Sequence, residues 1–481
     1  MMRYVQVFLI ILLMVFSQYP YSKGQTITGD PVFSYRTDYD ITTIPEKTKV
    51  FDLLYDNVTN SLWYTGLNES SIYNLDLTTG NVTQYPTGNP KITPNQIVFG
   101  KNRTIWFTDY DFEIVKSDYD YFGRFNIENG TYDFYKIPTL NSAPVDIEYS
   151  FGYIWVSEWL GDKVLRFDPN TGVMDEKILE CGSASCTPLG IAYDENSVYI
   201  LETGRASIIS YNPDSFEENG QIQIPDKMPG PVDILVDGEL LWLGIHGGDQ
   251  LAWYNLTSGE FSSKYSVPPD SNYPISGINE VKKTDDGLLW FSEHFVNWMG
   301  NFNPETGVIT EYRVNRDIPS NTQWLTTDGQ RVWYAETDNM VISEFDSSAV
   351  PKMNIKAHSQ NVEQDKVSTI EFEVELTSGA LTNNSFKSFV YPIFTYGISL
   401  GKSYPVDLST GKAHATVGIE ISSSVRPGNY NVIIGVESEE LLASVNIQIS
   451  VNPSFTALYY LGGLLGALIV IIIILKATKK I

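Results

Sequence analysis

The sequence predicts an all-β protein: a seven-bladed β-propeller, then an immunoglobulin-like β-sandwich, then one C-terminal transmembrane helix. An aromatic anchor recurs seven times, at Trp63, Trp106, Trp155, Tyr199, Trp242, Trp290 and Trp333, at intervals of 43 to 49 residues. A period of that size with four strand-sized segments inside it is the signature of a propeller blade. Between about Lys352 and Val451 the repeat gives way to period-two alternation, and Phe455 to Leu475 is a run of 21 uncharged, mostly apolar residues.

In chain order, Arg3 followed by the apolar stretch Val5 to Phe16 reads as a secretory signal peptide within residues 1–25. The propeller is assigned to residues 30–348. Its units open with a turn and an apolar strand, as in Pro144-Val-Asp-Ile147, Pro188-Leu-Gly-Ile191 and Pro231-Val-Asp-Ile234. The anchor strand follows, then a third such as Lys163 to Phe167, an Asp-Pro-Asn-Thr-Gly turn, and an outer strand such as Val308 to Tyr312. Twelve residues after each anchor stands a second hydrophobic residue, at Leu75, Phe167, Tyr211, Tyr254, Phe302 and Phe345. In the second unit the interval is 19, from Trp106 to Phe125.

Unit seven, from about Gln323 to Asp346, stops after its third strand, while Tyr39 to Ile44 is a strand without a unit. The N-terminal strand is therefore expected to complete blade seven and close the ring, which removes exposed sheet edges. Residues 350–452 contain the strands Thr369 to Leu376, Asn429 to Ile434 and Ala443 to Ser450 with a Pro427-Gly428 turn, and are expected to form the sandwich as a stalk. The run at 455–475 is long enough to span a bilayer, and Lys476, Lys479 and Lys480 place the tail at 476–481 in the cytoplasm. Gly462 and Gly466 make a small-xxx-small pair that offers a face for a homodimer.

The expected location is thus a cell membrane, crossed once, with the bulk of the chain outside. Acceptor triplets for N-linked sugars at Asn57, Asn68, Asn81, Asn102, Asn129, Asn255 and Asn383 all precede the span. The two cysteines, Cys181 and Cys186, sit in one Gly/Ser-rich loop and are expected to form a disulfide outside the cell. With 58 acidic against 32 basic residues, a formal charge of -26 excludes nucleic acid as a partner, since phosphate binding needs clustered cations. No catalytic nucleophile motif, phosphate-binding loop, zinc signature or EF-hand loop is present.

The anchor strands Ile105-Trp-Phe-Thr-Asp109, Ile154-Trp-Val-Ser-Glu158, Leu289-Trp-Phe-Ser-Glu293 and Val332-Trp-Tyr-Ala-Glu336 resemble the Trp-Phe-Thr-Glu signature of the streptogramin B lyase (virginiamycin B lyase) propellers. The likeness continues through Gly300 to Tyr312 and covers residues of about 36–348. It implies the propeller fold and a magnesium-assisted elimination, with a histidine as base and acidic side chains on the metal. One departure concerns the base: where many relatives open a blade with Pro-His-Gly, this chain has Pro188-Leu-Gly190.

Three residues after each anchor the chain has Gly66, Asp109, Glu158, Glu202, Ile245, Glu293 and Glu336. Such a column is expected to ring the channel where the second-to-third-strand loops emerge, which makes Glu158, Glu202, Glu293 and Glu336 candidate ligands for magnesium or calcium. Carboxylates that fix their own strand ends are the alternative. The next column holds Tyr110, Trp159, His246 and His294, and the two histidines are the candidate catalytic residues. Asp109, Tyr110, Asp111 and Trp159 mark a rim suited to a glycan or a surface protein. Two function classes follow: a surface-anchored binding module, and a metal-dependent lyase acting on an extracellular ester or polysaccharide. A structural component of a surface layer is a third.

Overall fold

The computed structural model describes residues 35–41 and 49–453, apart from 68, 110–118, 183–184, 226–227, 263–264, 269–275, 297, 315–320, 338–339 and 394. The expected signal peptide, membrane span and tail lie outside these. Among the described residues no helix is long and apolar enough to cross a membrane. The described structure is all-β apart from one 3-10 turn at His246–Gly248. It divides into two compact units, the first running to Val350 without Glu305–Thr310 and the second made of Glu305–Thr310 and the residues from Pro351 onward.

The first unit is a propeller-like succession of four-stranded antiparallel sheets. Val50–Asp56, Ser61–Gly66, Ser71–Asp76 and Val82–Pro86 form the first, four more of the same kind follow in chain order, and Ile278–Lys283, Leu289–Glu293, Trp298–Phe302 and Val308–Arg313 come sixth as neighbours in that order. In the seventh, Thr322–Thr327, Arg331–Glu336 and Val341–Asp346 are joined by Arg36–Asp40, which runs antiparallel from Arg36 opposite Phe345 to Asp40 opposite Val341. This N-terminal strand starts three residues earlier than the Tyr39 to Ile44 reading. Its placement turns on Arg36, whose guanidinium donates to Glu336 Oε1 at 2.6 Å, to Ser343 Oγ at 3.3 Å and to the carbonyl of Val314.

The aromatic repeat joins each sheet to the next. In the second sheet Ile105 lies opposite Phe125 and Trp106 opposite Arg124, so the anchor and its answering aromatic leave the sheet on opposite faces. The anchor of one sheet consequently meets an aromatic of the following one. Trp63 packs on Phe125 at 5.6 Å, Trp106 on Phe167 at 5.8 Å, Trp242 on Phe302 at 5.7 Å and Trp290 on Phe345 at 5.5 Å between ring centres. Trp333 of the last sheet stacks on Tyr55 of the first at 4.6 Å.

Polar staples repeat on the inner strands. These strands carry a bulge just after their opening residue, as between Pro144 and Ile147 or Ile278 and Val281. The bulge turns the carboxylate at that point toward the neighbouring sheet. Asp52 accepts from the backbone N–H of Ile97 at 2.7 Å, Asp146 from Ile191 at 2.6 Å, Asp233 from Val281 at 2.7 Å and Glu280 from Leu325 at 2.6 Å. Each bond satisfies a buried backbone donor that the bulge leaves without a ladder partner.

The second unit contains two antiparallel sheets. Lys352–Ala357, Lys366–Ser378, Lys412–Ile421 and Ile398–Lys402 form one. Leu441–Asn452, Gly428–Glu437, Ser385–Pro392 and Pro405–Asp407 form the other, with Gln360–Glu363 pairing in parallel beside Leu441–Asn452. Alternation sets their faces: along Lys366–Ser378, Ile370, Phe372 and Val374 are buried while Glu371 and Glu373 are exposed.

Candidate functional site

His246 and His294 follow the second strands Leu240–Ile245 and Leu289–Glu293 of adjacent sheets. Their backbones are held alike, the N–H of His246 donating to the carbonyl of Gly230 and that of His294 to Gly277. This brings His246 Nε2 to 3.4 Å from His294 Nδ1. Both rings are buried, at 1% and 3% exposure. Phe295 stacks on His294 at 4.4 Å and meets His246 edge-on at 5.1 Å.

Burial, joined by the neighbouring His294, pushes His246 down to about 3. Burial pushes His294 down to about 4 against the opposing hydrogen bond of Asn321. The pair is therefore neutral at pH 7, with one ring nitrogen donating and the other accepting. Beneath it, Asp249 Oδ1 accepts from the N–H of Ser276 at 2.9 Å and of Gly277 at 2.7 Å. Gly277 has φ +74°, and a Cβ there would stand 2.7 Å from Phe295 Cδ2 and 3.0 Å from His246 Nε2. Gly277→Ala should cost about 1–3 kcal/mol through strain and crowding and shift both imidazole resonances in NMR spectra. An unchanged stability and spectrum would show that the pocket has slack.

The carboxylate column lies at the ends of the second strands and is engaged locally. Asp109 Oδ1 accepts from the N–H of Thr93 at 2.8 Å. Glu202 accepts from Ser207 Oγ and, at 3.4 Å, from Gln221 Nε2. Glu336 is held by Arg36 and by Ser343 Oγ at 3.0 Å. Glu158 is fully buried, and burial reinforced by Glu176 raises it to about 8. It is accordingly a neutral acid at pH 7. Glu293, also fully buried, stands next to His294 in the chain.

These residues do not gather into a metal-binding set. Among the described residues, the only three His, Cys, Asp or Glu with ligand atoms mutually within 4.8 Å are Asp162, Cys181 and Cys186. Cys181 and Cys186 are joined as a disulfide with Cα atoms 5.3 Å apart. Asp162 accepts from the N–H groups of Cys186 and Thr187, both at 2.9 Å, and from Ser185 Oγ at 2.7 Å, which accounts for its position. Magnesium requires oxygen donors in near-octahedral array, and two buried imidazoles do not fit it.

Of the rim residues, Tyr110 and Asp111 lie outside the described residues, as does the acceptor Asn68. Trp159 is 8% exposed and packs with Ala143, Val145 and Leu189, so it is a core side chain and not a displayed ring. The opening strands of its own and the following sheet cover it. The acceptors Asn57, Asn81, Asn102, Asn129 and Asn383 are exposed, and Asn255 is half-buried.

The sequence reading overlooked the inner ring. Lys282 Nζ lies 2.6 Å from Glu280 Oε1. Burial opposes its charge, but Glu280, Asp233 and Glu148 outweigh this and hold it above the ordinary lysine range. Burial, reinforced by Asp233, raises Asp146 to about 7, and burial with Asp146 raises Glu148 to about 8. Its signal in the sequence is the Asp that interrupts the apolar Pro-Val-Asp-Ile openings at Asp146 and Asp233.

A carboxylate whose pKa is raised on folding contributes stability below its unfolded value near 4 and loses it as pH climbs through 7 to 8. The buried histidines, lowered on folding, act oppositely and weaken the fold as pH falls below about 6.5. With more raised acids than lowered histidines, the melting temperature should fall between pH 5 and pH 8. Lys282→Met should steepen that fall by roughly 5 °C or more, because its cation is what offsets the ionised ring. An equal loss at both pH values would show that Lys282 acts by packing.

No protein-family model and no curated protein sequence matches the chain. Among solved structures, virginiamycin B lyase from Staphylococcus aureus is 22% identical with a TM-score of 0.55, over 65% of this chain and 98% of that one. A streptogramin B lyase structure is 20% identical with a TM-score of 0.55, over 64% and 96%. A catalytically inactive variant of the Staphylococcus aureus enzyme with quinupristin is 20% identical with a TM-score of 0.56, over 65% and 99%. The chain thus resembles the virginiamycin B lyase propeller, and at this identity the likeness establishes the fold.

Proposed function

We propose that this is a membrane-anchored extracytoplasmic protein whose seven-bladed propeller, carried on an immunoglobulin-like stalk, binds a cell-surface ligand through the second-to-third-strand rim. The ligand class is glycan, cell-wall material or a partner protein. The observation that carries this reading is the burial of the candidate catalytic groups. His246 and His294 are covered by Phe295 and turned toward each other, and both are buried. What differs between sheets is loop length, with 19 residues from Trp106 to Phe125 where the other intervals are 12. Variable loops on a rigid scaffold are where recognition resides.

The test is retention of the full-length chain, in lipid nanodiscs, on isolated cell envelopes of its source organism. Removing seven residues between Asp109 and Tyr119, to restore the common interval, should lower retention at least tenfold. Unchanged retention would sink the rim as the binding surface.

A metal-dependent lyase is the second reading, favoured by the likeness to the lyase propellers and by the neutral imidazoles, the state a general base needs. It predicts turnover of quinupristin or another extracellular ester with magnesium present, abolished by His294→Ala and followed by mass spectrometry. No turnover at any metal concentration would remove it.

A further inference from the structure

The aromatic side chains of the propeller are taken up in its packing, with two exceptions. Among its described residues, the exposed aromatics are Phe151 and Tyr193, at 39% and 44%. Their rings meet edge-on across the boundary between sheets three and four, with centres 6.2 Å apart and planes inclined at 71°. Phe151 stands in the two-residue turn between Pro144–Ser150 and Tyr153–Glu158, where Ser150 pairs with Tyr153, and Tyr193 ends Pro188–Tyr193.

The turn displays Phe151 against the preference of its own backbone. Both central residues have positive φ, +54° at Phe151 and +85° at Gly152, as in a type I′ hairpin turn. A side chain in that region crowds its own carbonyl, so Gly, Asn and Asp are the residues that ordinarily fill it. First-to-second turns of other sheets follow this rule with Asn60, Asn102, Gly238, Gly287 and Gly329. A phenyl ring at this place serves neither the turn nor the core. Strain retained under an exposed aromatic pair points to recognition.

The charges around the pair select its partner. The first-to-second turns of sheets three, four and five hold Asp194, Glu195, Asp237 and Glu239 and no Lys or Arg. Asp194 follows Tyr193 directly and is fixed in its turn by the N–H groups of Asn196 and Ser197, which donate to it at 2.7 and 2.8 Å, while Glu195 is exposed. The cations on neighbouring strands are already engaged: Lys283 lies 2.6 Å from Asp237, and the Arg166 guanidinium sits over the ring of Tyr153 at 4.6 Å. We infer that Phe151 and Tyr193 form a docking point for a Lys or Arg side chain of a basic protein segment, held by cation–π contact and by the acidic turns beside it. First-to-second turns emerge on the edge opposite the second-to-third-strand rim, so this is a second surface, separate from the one proposed above.

The probe is a fluorescent hexa-arginine peptide, with hexa-citrulline as its uncharged counterpart. Both are titrated by anisotropy onto the full-length chain in nanodiscs of zwitterionic lipid at about 150 mM salt, where charges more than ~8 Å away are screened. Phe151→Asn and Tyr193→Ser keep every charge and should each weaken hexa-arginine binding about fivefold, the loss of a partly desolvated cation–π contact. Phe151→Asn should at the same time raise the melting temperature by about 1–2 °C, because Asn-Gly is a preferred type I′ pair. A melting temperature that falls would make the ring a packing element and overturn the inference. Hexa-arginine binding that is absent from the wild type or unchanged in both variants would overturn it as well, and so would equal binding of hexa-citrulline. Chitohexaose bound by the wild type and lost in Phe151→Asn, with hexa-arginine ignored, would give the pair to sugars instead. Shortening the loop between Asp109 and Tyr119 should leave hexa-arginine binding intact, so that failure of the rim reading and failure of this inference are read separately.

Discussion

Trp106→Ala should lower the unfolding free energy of the propeller by about 4 kcal/mol, as expected for emptying a large aromatic site. The indole is 1% exposed, lies against Phe122 and Tyr135 of its own sheet and Phe167 of the next, and has Arg124 above it at 5.6 Å. Collapse to fill the void is blocked because the wall belongs to two sheets held independently by their own ladders. Gly100 completes the site: a Cβ there would approach Trp106 Nε1 to 2.5 Å, so Gly100→Ala should be damaging as well. All ten tryptophans precede Val350, so the urea midpoint of tryptophan fluorescence reports on the propeller alone. Trp106→Phe should retain most of the stability. A loss under about 1 kcal/mol for the alanine variant would mean that contacts between sheets contribute little.

Arg36→Ala should be comparably severe, at about 3–5 kcal/mol, because it leaves the carboxylate of Glu336 buried without its cation. Arg36 and Glu336 are 7% and 2% exposed in their side chains. Arg36→Lys should recover only part of the loss, since an ammonium cannot reproduce the fork that reaches Glu336, Ser343 and the Val314 carbonyl together. Adding Glu336→Gln to Arg36→Ala should relieve part of the cost by removing the orphaned charge. Limited proteolysis gives a second readout, with cleavage near the N-terminal strand accelerated in Arg36→Ala. If Glu336→Gln alone weakened magnesium binding without affecting stability, the residue would be a ligand and not a latch.

The column of carboxylates shows how far one-dimensional pattern carries and where it stops. Alignment of the anchors put Glu158, Glu202, Glu293 and Glu336 at one position and His246 and His294 at the next, and the histidines do meet. The carboxylates do not join them. Position along a strand fixes the height of a side chain in the sheet, but its direction depends on the partner it finds, such as Arg36 from a strand 300 residues away in sequence for Glu336. The staples formed by Asp52, Asp146, Asp233 and Glu280 show in the sequence only as an acidic residue on an otherwise apolar opening strand, because a bulge after the opening residue decides which way the carboxylate points.

What the sequence by itself determined is the repeat: seven aromatic anchors, the strand order within each unit, the lone strand near the N-terminus, the alternation after Lys352 and the candidate disulfide. Period and alternation are local properties, and hydrophobic residues spaced for a half-buried strand carry that information in themselves. Tertiary structure alone decided that Trp106 answers Phe167 across a sheet boundary, that Trp159 is core, that two histidines lose their charge together, and that one lysine stands among the acids of the inner ring. Each of these depends on which side chain from a distant segment excludes water at a given point, and that exclusion exists only once the sheets have packed.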